Sequence, residues 1–155
     1  MKKIGKLIGF IGICIFVAGI SFILTKYLDK NMYLNTELLV TFEDTKKFKL
    51  ENTNKLTKDE ALKTYPNTFK IENKSLKKVS YQVNIETKDK LDKINYILYL
   101  NDKEKGDGKL SDLKDNILYE NNIDRKKEDT YKLYLYLTEE EDNFDFTYSI
   151  VVDSK

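Results

Sequence analysis

Val79-Ser80-Tyr81-Gln82-Val83-Asn84-Ile85 alternates apolar and polar side chains without a break. Successive side chains on a β-strand point to opposite faces, so Val79, Tyr81, Val83 and Ile85 line one face and Ser80, Gln82 and Asn84 the other. One face is made for a core and the other for water. The same period of two recurs on either side. Upstream, Leu38, Val40 and Phe42 alternate, Phe48 and Leu50 form a shorter run, and Phe69 and Ile71 follow Pro66. Downstream come Ile94, Tyr96, Leu98 and Leu100, then Leu133, Leu135 and Leu137, then Phe144, Phe146, Tyr148, Ile150 and Val152. Short alternating strands separated by turn residues every ten or so positions predict a mainly β domain, an antiparallel sandwich of jelly-roll or Ig-like Greek-key type.

Two of these strands are apolar on both faces. Ile97 and Tyr99 lie opposite the Ile94–Leu100 set, and Tyr134 and Tyr136 lie opposite the leucines of Tyr131–Leu137. A strand of that kind is covered on both sides or shielded by a loop. Its tyrosines also carry a hydroxyl over an apolar ring, the chemistry favoured at contact surfaces. Tyr99, Tyr134 and Tyr136 are therefore the candidate interaction residues, with filling of a second packed layer as the competing role. Helix is scarce. Thr57 with Glu60 three residues later forms a capping box, which predicts one or two helical turns before Pro66. Leu110, Leu113 and Ile117 have helical spacing too, but asparagines interrupt it, and a turn leading into a strand near Ile117 fits equally.

The other end of the chain reads differently. Leu7 to Leu24 contains no charged residue and follows Lys2, Lys3 and Lys6. Eighteen residues at about 1.5 Å each reach roughly 27 Å, close to the hydrocarbon thickness of a bilayer. The expected organisation is a basic cytoplasmic tail over 1–6, a transmembrane helix over 7–25, a linker over 26–36 and an extracytoplasmic domain over 37–155. The lysines before the run keep the amino terminus inside, so the domain stands outside a plasma membrane that the chain crosses once. Gly19-Ile20-Ser21 offers the spacing of a signal-peptidase site, and cleavage with secretion stands as the alternative.

Charge and chemistry narrow the function. The whole chain carries +1, and removing the three leading lysines leaves the rest at −2, with lysines interleaved among acids. No basic stripe offers itself to nucleic acid. The chain has no histidine, and its one cysteine, Cys14, lies in the apolar run. Ser-His and Cys-His nucleophiles, the usual zinc sites and disulfide staples are thereby excluded from the domain. Ser75-Leu76-Lys77-Lys78 has the Ser-x-x-Lys spacing, but in a turn rather than on the helix that would set lysine beside serine. Asn101 to Gly108 clusters oxygen ligands around glycines, yet fails the EF-hand spacing and includes Lys103 and Lys105, so it reads as a hairpin loop. Glu139, Glu140, Glu141 and Asp142 read as a wet turn between strands. No catalytic, cofactor or metal residue is nominated, and no small-molecule substrate is expected.

Glu60-Ala61-Leu62-Lys63-Thr64-Tyr65-Pro66-Asn67-Thr68-Phe69-Lys70-Ile71-Glu72-Asn73, then Tyr81 to Ile85, Ile94 to Leu100, Tyr131 to Leu137 and Phe146 to Val152 together resemble small exported envelope proteins of low-GC Gram-positive bacteria, the TasA and camelysin group. The resemblance covers about the last 100 residues and rests on an F-x-I-x-N step and a Y-x-L-x-aromatic-L step. It implies an exported jelly-roll or similar sandwich that in some members polymerises into matrix fibres, and it brings no catalytic residues. The chain departs from it in lacking Trp, in the charged stretch Lys126 to Asp129 before the Tyr131 strand, and in an anchor-like leader.

The expected function is a non-catalytic module for envelope, matrix or protein-protein contact, its partners being the bilayer and either itself or another envelope protein. An accessory subunit of a larger membrane enzyme or transporter is the alternative, with Gly5, Gly9, Gly12 and Gly19 permitting close helix approach. Replacing residues 7–24 by polyleucine separates the two: function survives if the exported domain carries it and is lost if the span does, as a complementation assay would show.

Overall fold

The computed structural model describes residues 32–35, 37–43, 47–50, 54–89, 91–140, 144 and 146–155. The transmembrane segment expected over 7–25 and the basic tail lie outside these residues. Among the described residues no helix is long and apolar enough to cross a membrane.

Among the described residues ten strands form two antiparallel sheets. In chain order they are β1 (Met32–Asn35), β2 (Leu38–Phe42), β3 (Lys47–Leu50), β4 (Asn67–Asn73), β5 (Val79–Thr87), β6 (Ile94–Leu100), β7 (Lys103–Lys109), β8 (Ile117–Ile123), β9 (Glu128–Leu137) and β10 (Phe146–Ser154). The large sheet runs β1-β2-β4-β9-β6-β7 and the small one β3-β10-β5-β8. Only β1 to β2 and β6 to β7 are connections that stay within a sheet. Every other link carries the chain to the opposite layer, so almost all pairing is between strands distant in sequence.

Period two sets the core. On β5, Val79, Tyr81, Val83 and Ile85 are buried while Ser80 and Glu86 are exposed. On β10, Phe146, Tyr148, Ile150 and Val152 are buried. These meet Val40, Phe42, Phe69, Ile71, Leu98 and Leu133 of the large sheet in one core, each well-buried side chain contributing about 1.5–3 kcal/mol. An aromatic row crosses it. Phe42 lies 5.8 Å from Phe69, Phe69 stacks on Tyr131 at 5.0 Å, and Tyr131 meets Tyr81 of the other sheet edge-on at 6.5 Å.

The helix α1 (Lys58–Ala61) forms where its capping box stands, the Thr57 side chain and Glu60 each satisfying the other's backbone. Its segment crosses the outer face of the large sheet. Leu56 N–H donates to the Leu137 carbonyl at 3.0 Å, and Ala61 is fully buried against Ile97 and Tyr136. This is the cover that the doubly apolar strands require. The Lys58 ammonium reaches Glu104 at 2.7 Å and Asp107 at 2.8 Å, clasping α1 to β7.

The sheet begins inside the stretch expected to be linker, because β1 pairs with β2 from Met32↔Thr41 to Asn35↔Leu38. Asn101 to Gly108 is also more than a loop. Asn101 and Asp102 both have positive φ, 50° and 61°, which makes a two-residue type I′ turn, and the chain returns at once as β7. Gly108 is the direct partner of Tyr96, and a side chain at Gly106 would meet the Tyr96 hydroxyl at 3.4 Å. The two glycines make room for the Tyr96 ring.

Asn73 ends β4 fully buried. Its amide donates to the carbonyls of Lys77 at 2.8 Å and Ile123 at 3.0 Å, and its Oδ1 accepts from Ser75 N–H at 2.8 Å. One side chain thus shapes the β4–β5 turn and ties it to β8. The expected cost of Asn73→Ala is about 2 kcal/mol or more, because buried groups are left without partners. Urea denaturation followed by circular dichroism measures it.

Candidate functional site

The pairing of β6 with β9 brings the three candidate tyrosines onto one patch. Tyr136 is the partner of Asn95, Tyr134 of Ile97 and Tyr99 of Lys132. The rings of Tyr99 and Tyr134 meet edge-on at 6.1 Å. The patch lies under α1, packed with Ala61, Ile97, Leu56 and Leu62. Tyr136 is only 7% exposed, and Tyr99 and Tyr134 are partly buried. The face that sequence marks for a partner is occupied by the chain's own helical segment. Loss of water, with Glu104 adding to it, raises the Tyr99 hydroxyl above its ordinary pKa.

A polar cluster lies between the sheets, and sequence reasoning did not single it out. Asp129 of β9 is 9% exposed. Its Oδ2 accepts from the Tyr81 hydroxyl at 2.6 Å and from the Asn121 amide at 3.1 Å, and its Oδ1 accepts from the Asn101 amide at 3.0 Å. Tyr131 places its hydroxyl 2.6 Å from that of Tyr81. With the Tyr81 proton directed to Asp129, Tyr131 donates to Tyr81. Asn101 is itself held by Thr130, whose N–H donates to Asn101 Oδ1 at 2.9 Å. The carboxylate therefore receives three hydrogen bonds, and its neighbours are held by further bonds. Burial drives the Tyr81 and Tyr131 hydroxyls well above the tyrosine range, and for Tyr81 the neighbouring Tyr131 and Asp129 push further in that direction. Such groups stay protonated at neutral pH and serve as donors rather than bases. The only signal in sequence was the polar residue Asp129 next to an apolar strand.

The other candidate motifs do not converge. Ser75 lies in a turn, its hydroxyl donating to the Lys77 carbonyl at 2.9 Å, while Lys78 points to Asp124. No Ser-Lys pair forms. Lys58, between Asp107 and Glu104, is held well above the ordinary lysine pKa by those two hydrogen bonds, which keeps it a cation rather than a base. Among the described residues no group of three or more acidic or cysteine side chains could hold a metal ion.

Four strands end the sheets: β1 and β7 in the large one, β3 and β8 in the small one. β7 reads Lys-Glu-Lys-Gly-Asp-Gly-Lys, a charge density that discourages pairing. β8 reads Ile-Leu-Tyr-Glu-Asn-Asn-Ile and has a single charge, Glu120, paired with Lys155.

No family model and no curated protein match the chain. Among solved structures it is similar to a secreted serine protease, VesC from Vibrio cholerae, at 17% identity with a TM-score of 0.29. The likeness covers 81% of this chain and 23% of that one, so this chain spans less than a quarter of that protein. At that distance it carries no argument about fold or activity.

Two outcomes follow from the polar cluster. Tyr81→Phe leaves Asp129 short of a donor and Tyr131 short of an acceptor, and should cost about 1–3 kcal/mol in urea denaturation at neutral pH. Folded-state pKa values raised above the unfolded value of about 10 give stability that is complete below that pH and is lost as pH rises through it toward the folded values. Alkaline titration should show Tyr81 and Tyr131 ionising only as the domain unfolds, read from tyrosinate absorbance and circular dichroism together.

Proposed function

We propose that the chain is a membrane-anchored, extracytoplasmic β-sandwich that acts without catalysis, as a contact module of the cell envelope or its matrix. The observation that carries this reading is where hydrogen-bonding capacity lies. The polar groups of the Asp129 cluster are committed to one another, whereas β8 ends its sheet with one charge in seven residues. An extended segment of another chain adds to such an edge through main-chain hydrogen bonds and needs no special side chain. The missing histidine and the separated Ser75 and Lys78 agree with a module that does no chemistry.

Placement outside the membrane rests on the apolar run and its leading lysines. Kinship with the TasA and camelysin group is part of the same proposal and rests on the F-x-I-x-N and Y-x-L-x-aromatic-L steps. In this fold Phe69 and Ile71 fill the core and Asn73 shapes a turn. A jelly-roll description is favoured over an Ig-like one by the chain's habit of changing sheet at nearly every connection and by its ten strands.

Asn122 is exposed on β8, where its side chain accepts one surface hydrogen bond from the Ser80 hydroxyl, so Asn122→Lys adds an edge charge at a folding cost of about 1 kcal/mol, which urea denaturation checks. Crosslinking on intact cells with mass spectrometry should show contacts to a second copy or another envelope protein falling several-fold in this variant. Contacts left at the wild-type level would remove β8 as the partner edge.

A further inference from the structure

A cleft of about 160 Å³ opens at one end of the sandwich, where Leu50 and Tyr148 of the small sheet meet Asn67, Leu135 and Leu137 of the large one beside the turn after α1. Its lining consists of four leucines, three tyrosines, two asparagines and one threonine. In a chain that is 34% charged, not one of these ten residues carries a charge. Among the described residues the lining offers no counter-charge to an anion or a cation. It offers apolar surface together with neutral hydroxyls and amides.

At its rim stands Tyr65, 96% exposed. A single exposed apolar side chain needs no explanation by itself. This one is mounted on a rigid support. Lys63 N–H donates to the Glu60 carbonyl, and both the N–H and the hydroxyl of Thr64 donate to the Ala61 carbonyl, the latter at 2.6 Å. Pro66 fixes its own φ and confines the backbone of Tyr65 to extended conformations. One residue further, the Asn67 amide donates to the Tyr148 hydroxyl, which holds the Asn67 side chain in one orientation. A backbone held on both sides of an aromatic residue leaves only its two side-chain torsions to be ordered on binding, which keeps the entropic cost low.

We propose that this cleft binds a neutral saccharide ring. The C–H face of a pyranose lies on the Tyr65 ring, and its hydroxyls meet the Asn67 amide and the Thr64 oxygen, whose proton is already given to Ala61. The cavity is smaller than the roughly 300–1,000 Å³ of sites for drug-sized ligands and suits one ring at a time. The proposal deepens the contact-module reading by naming a ligand class, and rests on it only for its place in the cell.

The test is calorimetric titration of the full chain, in a detergent without a sugar headgroup, with chitotetraose, cellotetraose and, as a charged control, a galacturonate oligomer. Saturable binding of a neutral tetrasaccharide is expected, weakened about tenfold, or about 1.4 kcal/mol, by Tyr65→Ala and nearly unchanged by Tyr65→Phe. Because Tyr65 makes almost no packing contacts, its variants should melt at the wild-type temperature, so lost binding reports the site and not the fold. No binding of either neutral oligomer at millimolar concentration overturns the proposal, as does equal binding by Tyr65→Ala or preference for the galacturonate. The titration needs no partner edge and no orientation in a membrane, so its failure is distinct from failure of the β8 reading.

Discussion

A carboxylate withdrawn from water must be given donors, and Asp129 sets the terms for much of this fold. Its partners come from four places: Tyr81 on β5, Asn121 on β8, Asn101 in the β6–β7 turn and, one hydroxyl removed, Tyr131 on β9. A slip of one residue in any of these strands turns the donor to the opposite face and leaves the charge unsatisfied. The cluster therefore helps fix register between two sheets whose other contacts are mostly interchangeable apolar side chains, with Asn73 to the Ile123 carbonyl and Asn67 to the Tyr148 hydroxyl as further polar ties. The adjoining aromatic row from Phe42 to Tyr81 supplies packing, and the polar cluster supplies alignment.

The large sheet has a second demand. Ile97 and Tyr136 are apolar on the face away from the core, and that face is closed by the segment carrying α1. A helix of four residues could not persist alone. It is held by the Thr57–Glu60 box, the burial of Ala61, and the clasp of Lys58 on Glu104 and Asp107. The cover accounts for the tyrosines on β6 and β9 through packing. It also rigidifies the turn from which Tyr65 projects, so surface presentation depends on the same small cap that closes the second core.

Strands that alternate sharply were legible, because a half-buried strand writes its burial into every second residue. β2, β4, β5, β6, β9 and β10 all fall where alternation placed them, and the Thr57 box marks α1. β7 was not legible: an edge strand made of charges and glycines carries no apolar period, and it forms because the Asn101-Asp102 turn delivers it to β6. β1 falls in the stretch that sequence marks as linker for a related reason, its four residues being too few to show a period. The site was less legible than the fold. Tyr99, Tyr134 and Tyr136 do share a patch, but period two reports only that a face is apolar, not what covers it.

Taken alone, the sequence determined a mainly β domain, the inward face of its central strands, the capped turn before Pro66, and the absence of histidine and of a cysteine in the domain. Those properties are local, settled by side-chain alternation and by which residue types are present. The tertiary structure decided the order of strands across two sheets, the meeting of Asp129 with Tyr81, Asn101 and Asn121, and the neutral cleft beside Tyr65. Apart from the eight-residue step from Asn121 to Asp129, each joins residues far apart in the chain. Contacts of that kind depend on how layers stack, and no local pattern encodes it.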